Sequence, residues 1–138
     1  NLARPEAFLT FHAAKSSSSP RVAVYTYQFS SPPPPPPEEE ADKLFVPWAR
    51  AQQTHLARSQ EFAQALQQRL AKIPGVIADK PSAAPARALR SVSAPAVAVE
   101  IGSLSPDDDS QPLTNPSFQQ QIAAAIVEAV EAFRERKS

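Results

Sequence analysis

The chain has 138 residues, enough for one domain with a real core, and 42% of them are apolar. Lys and Arg number 14 against 14 Asp and Glu, so no net charge marks the chain for nucleic acid or an anionic membrane. No apolar run reaches the ~20 residues that span a bilayer, and with no cysteine there is neither a disulfide nor a thiolate metal site, which leaves the redox compartment open.

Methionine is absent too, and a start on Asn1-Leu2-Ala3-Arg4 leads to the expectation that further residues, any signal peptide among them, precede it. The first predicted element is a strand over Ala7–Ala13. Alternation puts Phe8, Thr10 and His12 on one face and Leu9 and Phe11 on the other. A serine-rich turn (Ser16–Ser19) leads to a second strand, Arg21–Phe29. The connection is too short for a parallel crossover, so the two strands should pair antiparallel if they are neighbours. The segment Ser30–Lys43 then carries six consecutive prolines and three glutamates. It cannot donate ladder hydrogen bonds, favours polyproline II and reads as an exposed insertion.

Helical periodicity begins at Pro47 and runs to about Ile73. Leu56, Ser59, Ala63, Leu66, Leu70 and Ile73 form one stripe, and Pro74-Gly75 stops the helix. The next stretch is rich in Pro and Ala, with a short strand expected around Arg87–Val92. Ala96–Ile101 is the most apolar strand, and its composition predicts burial on both faces. In the last element Asn115 is a good N-cap and Pro116 a good first residue. Phe118, Ile122, Ala125, Ile126, Ala129 and Phe133 form its apolar stripe. Strands interleaved with amphipathic helices predict an α/β layered domain, with a mixed, mainly parallel β-sheet flanked by helices.

Two polar residues close apolar strands: His12 and Glu100. An ionised carboxylate is costly to bury without a partner, so the apolar strand either leaves the core at Glu100 or delivers its carboxylate to a site. In open α/β sheets, sites lie beyond the carboxyl ends of parallel strands. If these two strands are parallel, imidazole and carboxylate emerge at the same edge. Imidazole is a common zinc ligand and carboxylate a common general base. By pattern alone, a structural histidine and a surface glutamate are the commoner readings of such a pair. His55 reads as a helix-surface residue, and Asp107–Asp109 as a turn without the spacing of a calcium loop.

Taken together, Phe8-Leu9-Thr10-Phe11-His12-Ala13-Ala14 and the run Pro95–Ser105 resemble the two late motifs of the zinc-dependent N-acetylmuramoyl-L-alanine amidases. The second strand and both helices resemble the family's corresponding elements, so the likeness runs the length of the chain. It covers only the later part of the family's catalytic domain, residues 1–138 as one unit, with the N-terminal strand or strands of the family fold missing. The resemblance implies a peptidoglycan hydrolase that cleaves the amide between N-acetylmuramic acid and L-alanine. It implies His12 as one of three protein ligands to a single zinc ion and Glu100 as the general base. The substrate is peptidoglycan or a muropeptide, and the location the periplasmic or extracellular cell envelope. No separate cofactor-binding residue and no nucleic acid are implied. The family's other two ligands lie upstream of the matched region, so this chain alone is expected to hold zinc weakly or not at all. Ala14 stands where the family has Asn, Ser103 where it has Phe, and Pro106 where an Asn is expected. Those departures motivate the alternative, a non-catalytic module that binds cell wall or a partner protein.

Overall fold

The computed structural model describes residues 5–14, 20–30, 50–102 and 112–136. Strand β1 covers Phe8–Ala14 and β2 Arg21–Tyr27, followed by helix α1 at Leu56–Leu70. Two very short strands come next, β3 at Ile77–Ala78 and β4 at Ser82–Ala84, before β5 at Ala96–Gly102 and helix α2 at Pro116–Glu135. The sheet runs β1-β5-β2-β3, and β4 also pairs with β2. Strands β1 and β5 are parallel, β2 is antiparallel to β5, and β3 and β4 are parallel to β2. This is the mixed, mainly parallel sheet of an α/β domain.

Strands β1 and β2 are not neighbours, so the antiparallel pairing expected of them if adjacent does not arise. The two strands do run in opposite directions, but β5, arriving late in the chain, is inserted between them. Its composition explains why. Ala96, Val97, Ala98 and Val99 are all buried, and an interior position in the sheet suits a strand apolar on both faces.

Period-2 alternation divides the sheet into two unlike faces. Val22 and Val24 of β2 and Val97, Val99 and Ile101 of β5 turn to one face. There they meet Phe62, Leu66 and Leu70 of α1 and Ile122, Ala129 and Phe133 of α2 in one core. The Phe62 and Phe133 rings lie 4.8 Å apart, and the Arg58 guanidinium sits 4.2 Å from the centre of the Phe133 ring. Phe62 and Ala65 widen the buried stripe of α1 beyond the positions that periodicity alone selects, because α1 touches the sheet and α2 at once. The other face carries Ala96 and Ala98, and there Leu89 closes a smaller cluster with Phe8, Tyr25, Tyr27 and Val92 at its margin.

Two local expectations are corrected. Helix α1 does not extend back toward Pro47, which lies outside the described residues. It begins at Leu56 after a 3-10 turn at Gln53–His55, closed by His55 N–H donating to the Gln52 carbonyl at 3.1 Å. The strand expected at Arg87–Val92 is a 3-10 helix, Arg87–Leu89. Its turns are closed by Leu89 N–H to the Ala86 carbonyl and Arg90 N–H to the Arg87 carbonyl. The strands of that region, β3 and β4, are too short to carry a period. At the end of α1, Gly75 adopts φ +78°, the left-handed conformation that a chain reversal after Pro74 uses and that favours glycine. Asn115 caps α2 as expected, its side-chain oxygen accepting from Ser117 N–H at 2.9 Å and from Phe118 N–H at 3.3 Å. The proline-rich segment, apart from Ser30, lies outside the described residues, as do Ser16–Ser19, Asp107–Asp109 and Ser103–Pro106.

Candidate active site

The site is set by register. In the parallel pairing of β1 and β5, His12 stands directly opposite Glu100. Cross-strand partners in one sheet share a face, and neighbouring strands lie roughly 4.8 Å apart, so imidazole and carboxylate project side by side. Both are near the carboxyl ends of parallel strands, and both lie on the face opposite the helices. His12 is exposed and Glu100 half-buried. The carboxylate thus avoids the cost of full burial: the core ends two residues before it on this face, at Ala98.

A buried polar knot holds β5 in place. The Gln52 side chain is fully buried, and its Nε2 donates to the carbonyls of Val92 and of Ala94, the latter at 2.7 Å. Ser59, also fully buried, accepts from Ala96 N–H at 2.9 Å and donates to the His55 carbonyl at 2.9 Å. These bonds fasten the start of α1 to the first residue of β5. On the other side, Phe8 N–H donates to the Pro95 carbonyl at 2.8 Å and starts the β1–β5 ladder. A slip of one residue would turn Glu100 into the core, so fixing both strands where they begin fixes the site at their ends.

Strand β2 supplies the third side. Ala23 is opposite Glu100 and Tyr25 opposite Ala98, so Arg21, Ala23 and Tyr25 share the face of Glu100. The Arg21 guanidinium is held in a two-point fork by Asp79, Nε to Oδ2 at 2.6 Å and a terminal nitrogen to Oδ1 at 2.8 Å. That fork holds the Asp79 carboxyl below the usual carboxylate range, raises Arg21 further, and engages the cation away from Glu100. Burial, and then the negative charge of Glu100, push the Tyr25 phenol up, so it stays a neutral hydroxyl at physiological pH. The Thr10 hydroxyl lies 3.4 Å from His12 Nε2, at the limit of hydrogen-bond reach.

With this geometry in view, the chain matches the N-acetylmuramoyl-L-alanine amidase family over residues 1–132. It belongs to that family. Compared with individually curated proteins, the chain finds no match. Solved structures share its fold. The catalytic domain of CwlV, an N-acetylmuramoyl-L-alanine amidase from Bacillus (Paenibacillus) polymyxa, superposes with a TM-score of 0.62 at 19% identity, covering 94% of this chain and 58% of that one. The Nostoc punctiforme amidase AmiC2 gives 0.62 at 18% identity, again covering 94% and 58%. The CwlD amidase from Clostridioides difficile, solved in complex with the GerS lipoprotein, gives 0.62 at 16% identity over 97% of this chain and 57% of that one. The chain therefore spans somewhat more than half the length of these amidases.

Among the described residues, no three His, Cys, Asp or Glu side chains converge as a metal site. His12 brings the one imidazole to this edge, and Asp79 is committed to Arg21. The described residues alone thus do not make the three-ligand set of a hydrolytic zinc centre. His55 is at the N-cap of α1, where its carbonyl receives Ser59. The sequence reading did not single out Tyr25 or Gln52 for a role. The signal for Tyr25 was available, since it alternates with Ala23 on one face of β2. Gln52 carried none, because its partners are backbone carbonyls 40 residues or more away.

Proposed function

We propose that the complete protein is a peptidoglycan hydrolase that cleaves the amide between N-acetylmuramic acid and the L-alanine of the stem peptide. We further propose that Glu100 carries the proton transfer. The observation that supports this reading is the register pairing of His12 with Glu100 on the open face, in a chain of the amidase family. A half-buried carboxylate without a cationic partner among the described residues is free to take a proton from the attacking water. It can then return that proton to the amine that leaves, so one group serves as base and then acid. The adjacent imidazole is the proposed ligand for a single zinc ion, the other ligands coming from outside the described residues. Glu100 does not depend on that ion for its placement, which β5 alone provides.

An enzyme of this kind acts at the cell envelope, which is the proposed location. No described helix is long and apolar enough to cross a membrane. The test is muropeptide hydrolysis by the full-length protein with Glu100→Gln. The amide keeps the size of the carboxylate but cannot accept a proton from water at neutral pH. Hydrolysis should collapse while melting temperature holds. Unchanged hydrolysis would remove Glu100 from the mechanism and favour the reading of this chain as a binding module.

A further inference from the structure

The face that carries Glu100 is covered along only part of its length. At the first half of β5, Leu89 is fully buried over Ala96 and Ala98, and Tyr25 packs at the margin of this apolar cluster. Beyond Ala98 the described cover stops, and Glu100 and His12 occupy the open end. Tyr25 stands at that boundary. It is opposite Ala98, which makes it a diagonal neighbour of Glu100 across the β2–β5 pair, a separation of roughly 7–8 Å that an aromatic side chain bridges. Its ring is packed on one side, and among the described residues its hydroxyl has no hydrogen-bond partner. An amphipathic ring anchored in a dry cluster with its polar tip in the open is a preorganised donor.

We infer that Tyr25 is a substrate-contacting residue of this site, its hydroxyl donating a hydrogen bond to an acceptor oxygen of the muramoyl-peptide beside the amide that Glu100 serves. The inference rests on the function proposed above and extends it to the β2 wall. The other charged groups on this face are disposed around it without competing for it. Arg21 and Asp79 bind each other, and His12 lies across β5 on the far side. The phenol stays protonated at neutral pH because burial, and then the Glu100 charge, oppose its ionisation. Its neighbours Ala23 and Ala98 are small and carry no polar side-chain group.

The test separates affinity from turnover. In the full-length protein carrying Glu100→Gln, calorimetric titration with a purified N-acetylmuramoyl-peptide reads binding alone. Adding Tyr25→Phe, which keeps the ring and its packing, should weaken Kd by about five- to tenfold, the size of one neutral hydrogen bond. In the protein with Glu100 intact, the same change should raise KM by a similar factor and leave kcat within about twofold. Melting temperature should not move for Tyr25→Phe, and a fall there would assign the hydroxyl a folding role instead. Kd and KM both unchanged on Tyr25→Phe would overturn the inference while leaving Glu100 untouched. Hydrolysis surviving Glu100→Gln would overturn the role of Glu100, with the Tyr25 affinity measurement still decisive for itself. A parent protein with no affinity for the muramoyl-peptide would overturn both.

Discussion

The two faces of strand β5 are made from neighbouring residues of one heptapeptide and do opposite work. Val97, Val99 and Ile101 lie under α1 and α2, where any loss of volume leaves a cavity. Ala96, Ala98 and Glu100 form the other face, small at first and then charged, where the cover gives out as the carboxylate begins. One residue of displacement along the strand separates a core position from the position of the proposed catalytic carboxylate. A strand with one face held in a rigid core is a precise mount for the other, because the register that buries three apolar side chains also aims the carboxylate.

The comparison can be broken from either side. The largest effect is expected at the site. Glu100→Gln should lower muropeptide hydrolysis by about 10²–10⁴-fold with little change in thermal midpoint, since the side chain is half-buried and makes no described hydrogen bond. His12→Ala in the full-length protein should lose bound zinc as well as rate, measured by metal analysis after dialysis. Retention of stoichiometric zinc by that variant would remove His12 from the ligand set.

On the helix face the sign of the result reverses. Leu66→Ala deletes a fully buried side chain and should cost about 2–5 kcal/mol in urea unfolding, while the activity of the fraction still folded stays near normal. A loss of turnover exceeding the loss of folded protein would show that the two faces are not independent. Ser59→Ala sits between the faces. It leaves Ala96 N–H buried without its acceptor and should cost about 1–3 kcal/mol. Because Ala96 starts the strand that ends in the site, this variant should also loosen Glu100, read as a fall in kcat larger than that of Leu66→Ala.

The smallest effect belongs to the Arg21–Asp79 fork, a surface ion pair. Its carboxyl is held below the ordinary value of 3.8, so the contribution to stability is fully present above that value and is lost as pH falls through the lower folded-state value. Asp79→Asn should therefore lower the melting temperature slightly at neutral pH, and the difference from the parent should close in acid. A difference that instead grows in acid would mean that the fork does not lower the carboxyl.

Much of this organisation follows from residue order. Alternation in β1 assigns Phe8, Thr10 and His12 to one face, and the apolar run before Glu100 identifies a central strand. Asn115-Pro116 marks where α2 begins, and Pro74-Gly75 where the first helix is over. Each of these signals is local, a matter of side-chain period, a missing N–H or a capping oxygen, and such physics operates within a few residues. The family motifs at His12 and Glu100 are legible in the same way.

What residue order left open is everything decided by distant partners. That β5 separates β1 from β2 depends on which pairing buries the most apolar surface over the whole sheet, not on the length of the loop between the first two strands. The buried knot of Gln52 and Ser59 joins backbone groups 37 to 42 residues away, and no pattern in either segment announces it. The short strands β3 and β4 exist because β2 offers them a ladder, and Tyr25 comes to share the face of Glu100 because β2 docks against β5 in one register. The sequence by itself therefore determined the strand faces, the Asn115 cap and the candidate pair His12 and Glu100. Only the tertiary structure decided that those residues stand side by side, because proximity across a sheet is a property of register and strand order, which are settled by the summed packing of the domain.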